Sequence, residues 1–183
     1  MVMTIVVTLI VAAVLIVTSA GGWLRYERRK LRASFGPEYE TVAREHDTPR
    51  QVDRELRRRK NMHAELSVQE ISEQEREYFT SSWENLQGGF LDSPSVSLVS
   101  AEQLIAKLLD AKGYPGADSD EQLALLSVEH AEPLADYRAA QQISKHAKAD
   151  PESTSTEELR QALVFYHALF NELLADPEAA ATR

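Results

Sequence analysis

Cysteine is absent from the 183 residues, which excludes disulfides, thiolate metal ligands and a cysteine nucleophile. Glycine is scarce, with seven residues, and none sits in a phosphate-cradling loop. Strand signatures are missing too: no run alternates apolar and polar residues between turn signals. The five histidines never form a His-Glu-x-x-His pair, so the helical zinc-protease motif is excluded. A metal held by His130, His146 and His167 with Glu129 would need ligands from separate helices, and no spacing supports it. No cofactor and no catalytic motif are expected. The last absence is charge, which is missing from residues 1–24.

That uncharged stretch, Val2 to Leu24, is dominated by Val, Ile, Leu, Ala and Thr. As a helix it would be roughly 35 Å long, enough for a hydrocarbon core of about 30 Å. Lipid offers the backbone no partner, so even a β-branched run becomes helical there. Trp23 stands where an interfacial aromatic belongs. A cleaved signal peptide would need a basic start and a good small-x-small site, and the run lacks the first and has only Thr18-Ser19-Ala20 for the second. The expectation is a retained anchor over residues 1–24. Arg25, Arg28, Arg29, Lys30 and Arg32 follow it, against one acid, Glu27. The positive-inside rule assigns that flank, and the body after it, to the cytoplasm of a single-pass cell-membrane protein. The same five cations are the expected lipid headgroup contacts.

Charge is graded along the rest of the chain. Residues 25–65 hold 12 basic and 8 acidic residues, whereas 66–183 hold 8 basic and 21 acidic. An acidic body is repelled by anionic lipid and by nucleic acid phosphates. The one basic cluster, Arg57-Arg58-Arg59-Lys60, has no interleaved aromatics and reads as a solvated helix face, so no nucleic-acid partner is expected.

Pro and Gly punctuate a helical period. Gly36-Pro37 ends the first helix, Pro49 follows Asp47-Thr48, Ser93-Pro94 opens a helix that Gly113-Tyr114-Pro115-Gly116 stops, and Asp150-Pro151 breaks the chain again. Four apolar stripes lie between them: Phe79, Trp83, Leu86 and Phe90; Leu98 to Leu109; Leu134, Tyr137, Ala140 and Ile143; and Leu159 to Leu173. Ser155 with Glu158 forms a capping box before the last. The expected fold is therefore all-α: the N-terminal transmembrane helix, a basic flank and polar helical neck over 25–68, a compact acidic bundle of about four helices over 69–176, and a disordered tail at 177–183.

The best polar constellation is Leu126-Ser127-Val128-Glu129-His130 with Tyr137-Arg138. Glu129 beside His130 has the composition of an oriented general base. The plainer reading is a Ser-x-Glu cap opening the next helix. Arg138 and Arg160 read first as members of intramolecular ion pairs. His130, Tyr137, Arg138, Tyr166 and Trp83 are the candidate ligand or partner contacts.

Several of these pieces recur together in a known pattern: Phe35-Gly36-Pro37-Glu38-Tyr39 after a basic flank, Tyr78 with Trp83, Gln87, Phe90, Asp92 and Pro94, Gly113-Tyr114-Pro115, Leu126 to His130, Tyr137-Arg138, and Thr156 to Leu163 running on to Leu174. Over residues 23–175 the chain resembles an uncharacterised bacterial, largely actinobacterial, family of small single-span membrane or secreted hypothetical proteins. The resemblance implies architecture and brings no activity with it. The family pattern carries His at the positions of Gln141 and Phe165 and Arg at His167, so its histidines come and go, which weighs against catalysis. The functional expectation is a membrane-anchored helical interaction or scaffold module with another protein as partner. The alternative is a small-molecule sensor or enzyme with a polar pocket around His130, Tyr137, Arg138 and Tyr166.

The absence of native cysteine makes the topology directly testable. Single cysteines at Thr4 and Ser153, probed in intact cells with an impermeant thiol reagent, should label at position 4 and stay protected at 153. Labelling at 153 would reverse the orientation.

Overall fold

The computed structural model describes residues 26–116, 119–151 and 153–175, and every regular element among them is an α-helix. The expected transmembrane run, Arg25 and the expected tail at 177–183 lie outside the described residues. No helix among the described residues is long and apolar enough to cross a membrane. The chain divides into two compact units, Met1–Leu56 and Arg57–Arg183, with the division inside a helix.

In the first unit, α1 covers residues 26–35 and α2 runs Pro37–Glu45. Gly36 separates them at φ +44°, a left-handed value that costs glycine nothing, and Pro37 starts the next helix. The third helix, α3 (Pro49–Glu65), opens with Thr48 and Gln51 bonded reciprocally: the Gln51 side chain accepts the Thr48 N–H at 2.9 Å, and the Thr48 hydroxyl accepts the Gln51 N–H at 3.4 Å. Among residues 26–56 apolar side chains are few, yet Leu31, Phe35, Val42, Val52 and Leu56 are all buried. Arg28 donates to Asp53 at 2.9 Å and ties α1 to α3.

The second unit holds the end of α3 and five further helices: α4 (Glu73–Gly89), α5 (Pro94–Ala111), α6 (Asp120–Glu129), α7 (Ala131–Ala149) and α8 (Thr156–Leu174). Their starts follow the local chemistry. Ser72 with Glu75 and Ser155 with Glu158 form full capping boxes, Ser119 caps α6, and Pro94 occupies the first turn of α5. Pro133 sits in the first turn of α7, where no helical bond is lost. α8 packs along α7 and α5, α4 packs on α5, and α6 on α7. One core results, with Phe79 and Trp83 from α4, Leu98 to Leu109 from α5, Leu134 and Tyr137 from α7, and Leu159 to Leu174 from α8.

The bundle has one helix more than the four stripes indicate. In α6, Gln122 and the consecutive residues Ala124 to Ser127 are all buried. A helix enclosed over a full turn shows no amphipathic period, which is why its pattern is silent. Ser127 to Glu129 accordingly lie in the last turns of α6 and do not cap α7; His130 is the joint between the two helices.

The end of α5 is a Schellman closure. Tyr114 N–H donates to Leu109 O and Gly113 N–H to Asp110 O, both at 2.9 Å, with Gly113 at φ +85°. The chain after α3 is laid against this turn: Gln69 N–H donates to Lys112 O at 2.9 Å, and a Cβ on Gly113 would stand 3.0 Å from Ser67 O. Gly113→Ala thus meets both a left-handed φ and a backbone atom, and should destabilise the fold by about 1–3 kcal/mol. Gly88, inside α4 with nothing within 4 Å of its added Cβ, should behave oppositely, Gly88→Ala adding about 0.5 kcal/mol through helix propensity. Denaturant melts of the two variants check both signs.

Candidate functional site

The five candidate contact residues do not converge on one pocket. Tyr137 and Tyr166 meet at 5.6 Å between ring centroids where α7 packs on α8, and they are 1% and 0% exposed. These phenols belong to the core. Arg138, the next residue on α7, is half-buried. His130 is tied to α8 farther along, its Nδ1 lying 2.7 Å from a Glu172 carboxylate oxygen. Glu129, its neighbour in sequence, turns instead toward His63 at 3.6 Å. Successive residues at a helix joint project in different directions, so adjacency in sequence does not make a pair here.

Trp83, on α4, packs against α8. Its indole stacks on Phe170 at 4.6 Å and on His167 at 4.9 Å between centroids, with planes 24° and 11° apart. Burial alone lowers the His167 pKa from its ordinary 6.5. The indole N–H is buried with no hydrogen-bond partner among the described residues.

The cations expected to meet lipid headgroups divide. Arg28 bonds Asp53, while Arg32 bonds Glu40 and lies 5.1 Å over the Tyr39 ring. Arg29 and Lys30 are exposed. The basic run Arg57–Lys60 is not uniformly solvated. Arg59 is buried and donates to the buried Ser127 hydroxyl at 3.2 Å, and Ser127 in turn donates to Ala124 O at 2.6 Å. That bond fixes the end of α3 to α6. Arg160 is paired as expected, with Glu157 one turn earlier on α8.

Two surface depressions of the second unit have the shape of binding sites, and none of the five candidate contact residues lines either. One is an open groove of ≈ 440 Å³ between the first half of α5 and the end of α7. Val96, Leu98, Val99 and Ala147 give it an apolar floor, with Gln103 and Ser144 among its polar residues. A cross-helix clamp sets its width: Glu102 accepts from the Ser144 hydroxyl at 2.8 Å and from the Lys148 ammonium at 2.7 Å. Val96 is 64% exposed, and Leu91, in the turn before α5, is 91% exposed. The sequence signal for this surface is the uncharged stretch Pro94–Ala101, whose Ser, Val and Leu residues lack the charges that solvent-facing helices carry.

The other is a half-open cleft of ≈ 260 Å³ where the loop after α3 meets α4 and the ends of α5, α6 and α8. Arg76, Lys112, Glu70 and Glu129 line it with Ile71 and Leu173. On the Glu129 side, His63 Nε2 and the Tyr114 hydroxyl are buried with no hydrogen-bond partner among the described residues, and their rings approach to 6.3 Å. Burial, helped by the Glu129 charge, raises the Tyr114 pKa and keeps its hydroxyl protonated. Nothing in the sequence joins residues 63, 70, 76, 112, 114 and 129; only the packing of helix ends does.

The His167 stack predicts an acid-side loss of stability. The folded chain takes up the His167 proton at a lower pH than the unfolded chain does. The contribution is therefore complete above pH 6.5 and is lost as pH falls through the lowered value. Thermal melts between about pH 7.5 and pH 5 should show a shallower decline for His167→Gln than for the natural chain.

Comparison of the chain with protein-family models, curated proteins and solved structures finds no match.

Proposed function

We propose that this chain is a membrane-tethered adaptor: an N-terminal run holds it at the cell membrane, and the helical body docks another protein in the groove between α5 and α7. The observation that carries this reading is the groove itself. Its floor is apolar, its α5 wall is uncharged over two turns, and large apolar side chains beside it face solvent. Exposed apolar side chains gathered beside a concave surface mark protein contacts more often than chance surface residues do.

The groove's dimensions suit the apolar face of a partner helix, anchored by residues about one turn apart. Charge selects the partner further. Residues 66–183 carry 8 basic against 21 acidic side chains, so a segment with basic flanks is steered toward this body and an acidic one is repelled. The tether rests on the uncharged residues 1–24, the cationic flank after them and the resemblance to single-span bacterial proteins. Confinement to a membrane raises the local concentration of any partner held there, so modest groove affinity is sufficient.

A photo-cross-linker attached through a single cysteine at Ser95 should capture one specific partner in cells. Val96→Glu and Val99→Glu should then weaken the purified partner by about tenfold or more, the effect of placing a charge in an apolar contact, with the helical circular dichroism unchanged. Binding that survives both substitutions would remove the groove from the interface.

A further inference from the structure

The basic run Arg57–Lys60 belongs to a longer cationic face of α3, which lines neither depression. At 3.6 residues per turn, Arg50, Arg54, Arg57 and Arg58 fall within an arc of about 100° and along about 12 Å of the helix axis. All four are exposed, and Asn61 continues the arc. From Arg50 to Asn61 no acid shares it: Asp53 is turned to Arg28, and Glu55 is half-buried outside the arc. Val52, Leu56 and Arg59 are buried on the opposite side. The helix therefore splits the run, sending Arg59 inward to Ser127 while its neighbours meet solvent. Arg50 and Arg54 have no side-chain partner among the described residues.

The composition of this face narrows its partner to something anionic and extended. It carries no apolar or aromatic side chain, so it offers neither the buried anchor of a protein interface nor a platform for stacked bases. What it offers is a row of planar guanidinium groups, which pair with phosphate oxygens through two hydrogen bonds at once. Its place in the chain narrows the partner further. Arg28 donates at 2.9 Å to Asp53, one step round α3 from the arginine row. Arg28 also follows Leu24, the last residue of the uncharged run, by four residues, at most about 14 Å of chain. The row is thus held close to the point where the apolar run ends.

We propose that the outer face of α3 lies on an anionic bilayer surface, with Arg50, Arg54, Arg57 and Arg58 against the lipid phosphates. This rests on the membrane tether proposed above, which supplies the surface next to the helix. Of the cations that the sequence assigns to headgroups, Arg28 and Arg32 are committed to Asp53 and Glu40, so α3 carries the larger part of the contact. At physiological salt charges act over about 8 Å, so the row is felt locally whatever the chain's net charge of −9. Each basic residue near an anionic surface raises occupancy about fivefold, and no shaped pocket is needed.

The full chain, reconstituted in phosphatidylcholine vesicles with and without phosphatidylglycerol, tests this. A fluorophore on a single cysteine, Asn61→Cys, reports quenching by a headgroup spin-labelled lipid, and Ser81→Cys on α4 serves as the control. Quenching at position 61 should rise severalfold on the anionic vesicles, revert at about 1 M salt, where charges act over only about 3 Å, and exceed that at position 81. Arg50→Gln with Arg54→Gln should lower the docked-to-free ratio roughly twentyfold or more, about fivefold for each cation removed. The proposal is overturned if position 61 responds equally to neutral and anionic vesicles, if position 81 matches it, or if the double variant docks normally. A double-stranded oligonucleotide that shifts the probe as strongly as the vesicles at equal phosphate would overturn it in favour of nucleic acid. Flotation separates this from the tether: a chain that does not float with neutral vesicles sinks the tether. The α3 face is then judged by salt-sensitive flotation with anionic vesicles, whose absence overturns it.

Discussion

α8 is the element on which the second unit depends. Leu159, Leu163, Tyr166, Leu169, Phe170 and Leu173 are all buried along it, against α7 and α5, and its Trp83–Phe170 stack adds α4. Each fully buried side chain of this kind contributes about 1.5–3 kcal/mol. No other helix of the unit meets so much of the core, and the neighbours are fixed by where they touch it. The two depressions follow from that arrangement. The groove lies between α5 and the end of α7 beside the Glu102 clamp, and the cleft lies where α8 ends beside the turn that closes α5.

Polar closures complete what the apolar core begins. Capping boxes at Ser72 and Ser155 satisfy helix starts, and the bonds of Ser155 hold the Glu158 carboxyl below its usual range. The Schellman turn at Gly113 finishes α5 and receives the chain coming from α3. Arg59 is the costlier device: a buried cation at 8% exposure, whose guanidinium reaches the Ser127 hydroxyl across 68 residues of sequence. Such a contact contributes specificity of docking more readily than net stability. It also accounts for the position of Ser127, which is buried in a helix of otherwise apolar neighbours.

Charge is graded along the chain: residues 25–65 carry 12 basic against 8 acidic side chains, and residues 66–183 carry 8 against 21.

Much of the helical plan was legible from local chemistry. Pro94, Gly36-Pro37, the Ser155–Glu158 box and the Gly113 turn set helix limits within a few residues of sequence, and the four apolar stripes announced their buried faces, because capping and periodicity act between near neighbours. α6 escaped notice because burial over a full turn erases its period. The pairing of His130 with Glu172 and of Glu129 with His63, the burial of Arg59, and the assembly of the cleft from separate chain segments were decided by tertiary structure alone. Those contacts join positions tens of residues apart, and no local rule links their side chains until the core has fixed where each helix ends.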